Sequence, residues 1–136
     1  MKRPVSIAFM VLVVLQGAHS VEEYFGKLWE VFYPARLISG LFSANLQTGF
    51  LVFNVLLFVF GIWAWWFPVR KNSVAAIPII WFWIIIELIN GIGHPLWSVY
   101  EGTYEPGLIT APLLGITAVY LVVKLTQYRL FAPSGR

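Results

Sequence analysis

The chain has 136 residues, of which 60% are hydrophobic and only 11% charged, with a formal net charge of +3. Soluble domains are about 45–50% apolar, so this composition excludes that class and indicates one integral membrane domain over 1–136. The absence of cysteine excludes disulfides and thiolate metal sites, and the scattered basic residues argue against a nucleic-acid partner. The sequence also contains no Gly-rich phosphate-binding loop.

The first hydrophobic segment can be interpreted in two ways. A basic start, an apolar run over 5–15 and small residues near Ser20 imitate a secretory signal peptide. Cleavage there would discard His19, one of only two histidines in the chain. We therefore favour a retained first helix over 4–23.

The remaining elements are a connector and three further spans. Residues 24–45 alternate apolar and charged side chains, which predicts an amphipathic segment in the membrane interface, broken at Pro34 and Gly40. The later spans, each long enough for a ~30 Å hydrocarbon core, cover 47–67, 74–94 and 106–128. Pro95 is expected to end the third span, and Pro112 to kink the fourth. The predicted fold class is all-α: a transmembrane four-helix bundle with an interfacial amphipathic connector after the first helix.

The distribution of charge orients these spans. If the chain crosses four times, Lys27 and Arg36 are the exceptions among nine basic residues that otherwise share one side. All six acidic residues are Glu, and none falls on that side. Because excess Lys and Arg mark the cytoplasmic face, we predict an inner or plasma membrane protein with both termini cytoplasmic.

Two polar clusters interrupt the apolar spans. They consist of His19, Glu22 and Glu23 in the first span, and of Glu87, Asn90 and His94 in the third. Charged groups inside lipid are costly unless they meet a partner or water, so both clusters need an explanation. At about 100° per residue, Glu87 and His94 lie roughly 20° apart around their helix. At ~1.5 Å per residue, both clusters lie ~20–30 Å above the inner helix ends, so we expect one shared site toward the outer face.

The pooled side chains support two kinds of chemistry. Suitable ligands for one or two divalent ions, such as iron, manganese or zinc, are His19, Glu22, Glu23, Glu87 and His94. Without a metal, a carboxyl in a low-dielectric pocket can donate a proton to an alkene, and a nearby imidazole can act as the base.

These chemistries predict an enzyme that works among membrane lipids on a lipidic or isoprenoid substrate. Its predicted catalytic residues are His19, Glu22, Glu23, Glu87, Asn90 and His94. The alternatives are a transport or binding module that holds a metal or relays protons, and a structural membrane protein with an internal polar staple.

The order of three motifs resembles a known family. The segment His19-Ser-Val-Glu22-Glu23 is similar to the signature of the HXXEE family of small membrane proteins. The family's later pattern is similar to Asn90 and His94 followed by Tyr104-Glu-Pro106-Gly107. The family has no settled biochemical function, so the resemblance implies positions and not a reaction. It also favours a retained N-terminal helix, since the signature straddles the possible cleavage point.

Overall fold

A computed structural model describes residues 3–130 of the chain, with side chains to residue 127. This part is all-helical, as predicted. Its helices are α1 (Arg3–Phe25), α2 (Leu28–Val31), α3 (Tyr33–Phe42), α4 (Leu46–Ala64), α5 (Ala76–Glu101) and α6 (Ala111–Leu130), with a π-helical turn at Trp65–Val69. Three segments are long and apolar enough to cross a membrane, namely Arg3–Phe25, Leu46–Val69 and Ala76–Glu101. The apolar stretch Ala111–Gln127 is shorter.

The long helices pack around an apolar core. Helix α1 lies between α4 and α6, and α6 also packs along α5. Across the middle, the Phe9 ring of α1 meets Trp83 of α5 edge-on at 6.0 Å, and Phe60 of α4 stacks on the same indole at 6.5 Å. Aromatic rings packed in this way make many dispersion contacts, so this layer stabilises the packing of α1, α4 and α5.

Helix α5 does not end at Pro95, and that expectation was wrong. The helix continues for six more residues and stops at Gly102, whose φ of 68° is a left-handed conformation that glycine adopts without strain. The extension is held by tertiary packing, since the Trp97 ring lies 5.1 Å from Phe32. His94 is therefore fixed inside a helix and not at a frayed end.

Helix α6 begins later than expected. Its first residue is Ala111, and Pro112 lies in the first turn, where a missing N–H removes no intrahelical bond. The prediction of a kink at Pro112 was wrong for that reason. Residues 106–110 instead form a turn, which brings Gly107 and Thr110 to the C-terminal end of α1.

The connector after α1 forms helices α2 and α3. The expected breaks at Pro34 and Gly40 are not found. Pro34 lies in the first turn of α3, and Gly40 lies inside the same helix. A Cβ on Gly49 of α4 would collide with the Ser39 carbonyl oxygen, which shows how closely α3 crosses α4. This crossing holds α3 over one side of the polar clusters.

Candidate metal centre and cavity

His19 and His94 meet where the C-terminal ends of α1 and α5 face each other. Their ring centroids lie 4.8 Å apart at an interplanar angle of 84°. Both rings are buried, with 0% and 7% of the residue surface exposed. The two polar clusters therefore converge, as their matching heights along α1 and α5 predict.

Glu23 lies between the two imidazoles. Its Oε1 is 3.1 Å from Nε2 of His19 and 3.2 Å from Nε2 of His94. Glu23 follows His19 by four positions on α1, so both side chains project from one helix face. One donor atom from each of the three residues lies within 4.8 Å of the other two, and the group can hold a metal ion.

Glu22 points away from this group toward the turn before α6. Its carboxylate accepts hydrogen bonds from the hydroxyls of Tyr104 and Thr110, both at 2.6 Å, and from the backbone N–H groups of Ile109 at 3.0 Å and Thr110 at 2.9 Å. Partial burial, then the adjacent Glu22 carboxylate, raises the pKa of Tyr104 to about 12, so the phenol stays a donor at neutral pH. Glu22 thus ties the turn to α1.

Thr110 connects Glu22 to His19. Its Oγ1 lies 2.6 Å from Glu22 Oε2 and 2.7 Å from His19 Nδ1. A hydroxyl carries one proton, and a carboxylate is the stronger acceptor, so Thr110 donates to Glu22 and accepts from Nδ1–H of His19. This tautomer directs the free electron pair of His19 Nε2 toward Glu23 and His94, which is the arrangement that metal-binding histidines use.

Gly107 covers the two imidazoles. Its φ is +94°, and a Cβ there would lie 2.7 Å from Cε1 of both His19 and His94. Only glycine fits such close backbone approach at this φ without strain. The Tyr-x-Pro-Gly pattern therefore forms the roof of the site.

Glu87 lies one layer deeper, away from the imidazoles. It is fully buried, and its Oε2 accepts a hydrogen bond from Asn90 Nδ2 at 3.2 Å. With its amide turned by 180°, Gln16 of α1 donates to both Glu87 oxygens, at 2.8 and 3.1 Å. In this orientation the Gln16 side-chain oxygen lies 3.1 Å from the Ser20 hydroxyl, which also lies 2.7 Å from Oδ1 of Asn54 on α4, so the single hydroxyl proton bonds one of these two oxygens.

The six side chains singled out from the sequence are thus distributed over two layers. The first layer consists of His19, Glu23 and His94. Glu22 is linked to this group through Thr110, and the second layer contains Glu87 and Asn90. Sequence reasoning missed Gln16 and Thr110. Gln16 could have been found, because it precedes His19 by three residues on the same helix face. Thr110 carries no such signal, since it reaches His19 from a turn 91 residues away.

A cavity of about 320 Å³ adjoins both layers between α3, α4 and α5. Its polar end is lined by Gln16, Glu23, Asn54, Asn90 and His94. Most of the remaining wall is aromatic or aliphatic and includes Phe50, Phe53, Leu57, Phe82 and Ile86. Small-molecule sites have this character: mostly apolar walls with a few convergent polar groups.

Comparison with known proteins gives one match. A family model described as a protein of unknown function with HXXEE motif matches residues 8–122. Among curated proteins and solved structures nothing matches. The matched range contains the three-residue group, its supporting turn and the second layer.

Proposed function

This chain belongs to the HXXEE family, and we propose that it is a membrane-embedded, metal-dependent enzyme acting on a lipidic substrate. One observation carries the proposal: the donor atoms of His19, Glu23 and His94 lie together, and Glu23 and His94 line the polar end of a cavity with otherwise largely apolar walls. An apolar cavity suits a hydrophobic molecule, and the buried donors lie where its polar end would reach.

The donor set suits a divalent transition-metal ion. Catalytic zinc sites combine three protein ligands with an open position, and two histidines with one carboxylate also bind iron(II). The buried Nε2 of His19 lies 3.1 Å from Glu23 Oε1, but within the described part of the chain no neighbour is aligned with it for a hydrogen bond. A bound ion would give this nitrogen its partner and would polarise an oxygen of the substrate or of water.

For the membrane arrangement we propose a multi-pass, four-helix bundle of α1, α4, α5 and α6, with α2 and α3 in the outer interface. Supporting this orientation, Arg70 lies over the rings of Trp65 and Trp66 at 4.9 and 4.5 Å, beside Lys71. Aromatic and basic residues typically combine in this way at the cytoplasmic boundary. Both termini would then be cytoplasmic in an inner or plasma membrane. Three basic residues used in the orientation lie outside the described side chains: Lys2, Arg129 and Arg136.

The packing of the inner half argues against a transport pathway. Below the layer of Gln16 and Glu87, the core of residues 3–127 contains no buried polar or charged side chain. Fully buried apolar residues occupy it, including Phe9, Leu12 and Trp83. Ions and protons need polar groups or water to cross a membrane. A substrate can therefore reach the site, but no polar path continues from it through this described core.

Elemental analysis of protein purified in lipid nanodiscs tests the proposal. We expect about one zinc, iron or manganese ion per wild-type chain, and almost none in the His94→Ala variant, which loses one of three ligands. Wild type and variant that are equally free of metal would exclude a metal-dependent enzyme.

A metal-free acid–base enzyme is the second candidate, and the position of the Glu87 carboxyl favours it. Glu87 is fully buried, and its oxygens have polar partners in Asn90 at 3.2 Å and in Gln16 at 2.8 and 3.1 Å. Such partners hold a carboxyl inside an apolar core, where it can serve as an acid or a base. Activity that persists in metal-free wild type would support this candidate.

Thr110 is expected to act as a positioning residue for His19. The Thr110→Val variant keeps the shape but removes the hydroxyl that fixes the His19 tautomer, so metal affinity should fall by about 10–100-fold. The Thr110→Ser variant should restore most of it. Competition with a metal chelator measures both values, and unchanged affinity in Thr110→Val would contradict the assignment.

A further inference from the structure

Building on the proposed function, we infer that the substrate is an uncharged lipid alcohol whose hydroxyl group binds between Asn90 and the His19–Glu23–His94 group. Asn90 lines the cavity, and its Nδ2 is directed at Glu87 at 3.2 Å. The amide is thereby oriented, and Oδ1 accepts no hydrogen bond from the described part of the chain. A hydroxyl can donate to this oxygen while its own lone pair faces the position where His19, Glu23 and His94 would hold an ion; a carbonyl cannot donate.

The charges around the cavity exclude an anionic lipid. Among the described residues that line the cavity there is no Lys or Arg, whereas Glu23 is one of them, and Glu87 contacts Asn90 from the other side. The outer basic residues are otherwise engaged: Lys27 is 3.7 Å from Glu30, and Arg36 donates to the backbone carbonyl of Glu30 at 2.9 Å. A buried carboxylate or phosphate without a cationic partner loses its hydration without compensation.

A bound divalent ion would not reverse this selectivity. Its two positive charges would be balanced by Glu23, which is a ligand candidate, and by Glu22, which is linked to His19 through Thr110. The site would then keep no net positive charge with which to attract an anionic head group. A neutral hydroxyl avoids this penalty and still offers an oxygen to the ion.

The size of the cavity limits how much of the lipid enters. At ~30 Å³ per water-sized group, 320 Å³ holds on the order of ten non-hydrogen atoms. A longer tail must therefore leave the protein. The cavity lies between α4 and α5, next to the point where the Phe60 ring contacts Phe82. Phe82 lines the cavity and is 47% exposed. We place the exit there, toward the surrounding lipid.

Photo-crosslinking in nanodiscs tests the inference directly. The probe is a long-chain alcohol carrying a diazirine and an alkyne, compared with the matching carboxylic acid and alkyl phosphate. We expect the alcohol to label the cavity walls on α4 and α5 at least about tenfold more than either anion, corresponding to ~1.4 kcal/mol or more. Equal labelling by all three probes, or preferential labelling by an anion, would overturn the inference.

Two matched pairs of variants locate the labelling. Ile86→Trp fills the cavity, whereas Ile85→Trp adds the same ring next to it on a side that is 54% exposed. Leu57→Trp and Leu56→Trp form a second pair on α4, should the first fail to fold. We expect the cavity-filling member of each pair to lower alcohol labelling about tenfold or more, and its partner to leave labelling unchanged.

Metal content of the same samples separates this inference from the proposed function. Labelling that is specific for the alcohol in protein without metal would uphold the substrate class and reject metal dependence. Bound metal, together with alcohol labelling that Ile86→Trp and Leu57→Trp leave unchanged, would uphold the metal centre and reject the cavity as the lipid site.

Discussion

The Glu23→Gln variant should bind its metal at least about 100-fold more weakly than wild type, because changes one step behind a ligand already cost 10–100-fold. Glu23 Oε1 is within 3.2 Å of Nε2 on both His19 and His94, so this oxygen contacts both imidazoles at once. Glutamine keeps the size of the side chain but removes the negative charge that an ion requires. Chelator competition followed by elemental analysis measures the loss.

Glu30→Gln is the matched control for this substitution. Glu30 lies on α2 with an exposed side chain, and its ionic neighbour is Lys27 at 3.7 Å. An exposed pair of this kind contributes little, so metal affinity should stay at the wild-type level. Equal affinities in wild type, Glu30→Gln and Glu23→Gln would show that the carboxylate of Glu23 is not a ligand.

The meeting of His19 and His94 could be predicted because each lies in an apolar span. Ionisable residues inside such spans are rare and generally face the interior of the fold. Their heights followed from the fixed rise of a helix, which does not depend on tertiary detail. For the same reason the all-helical fold and the positions of α1, α4 and α5 followed from hydrophobic length.

The division of the polar residues into two layers could not be predicted from the same pattern. Glu87 and His94 share a helix face, but seven residues separate them by ~10 Å along the axis. A shared face is therefore not a shared site: Glu87 reaches Gln16, while His94 reaches Glu23. The contact between Thr110 and His19 depends on how the turn before α6 folds back, which no local periodicity encodes.

The Gly91→Ala and Gly93→Ala variants should change stability in opposite directions. A Cβ on Gly91 would lie 2.5 Å from Cα and 2.7 Å from N of Gly115 on α6. Because these are backbone atoms, the helices must separate, and we expect a loss of about 1–3 kcal/mol. A Cβ on Gly93 meets nothing within 4 Å, so alanine should stabilise the helix by about 0.5–1 kcal/mol. Unfolding in mixed micelles with increasing SDS measures both changes.

The same pair of variants tests whether helix packing affects the candidate metal centre. Gly91 lies three residues before His94 on α5, so moving this segment away from α6 also shifts the imidazole relative to His19, now 4.8 Å away between ring centroids. Metal affinity should therefore fall in Gly91→Ala and remain unchanged in Gly93→Ala. If both variants keep wild-type stability and affinity, α5 and α6 are not held by this glycine contact. If Gly91→Ala loses stability but keeps its metal, the centre tolerates a movement of α5, and the position of His94 must then be fixed by Glu23 and the Gly107 roof.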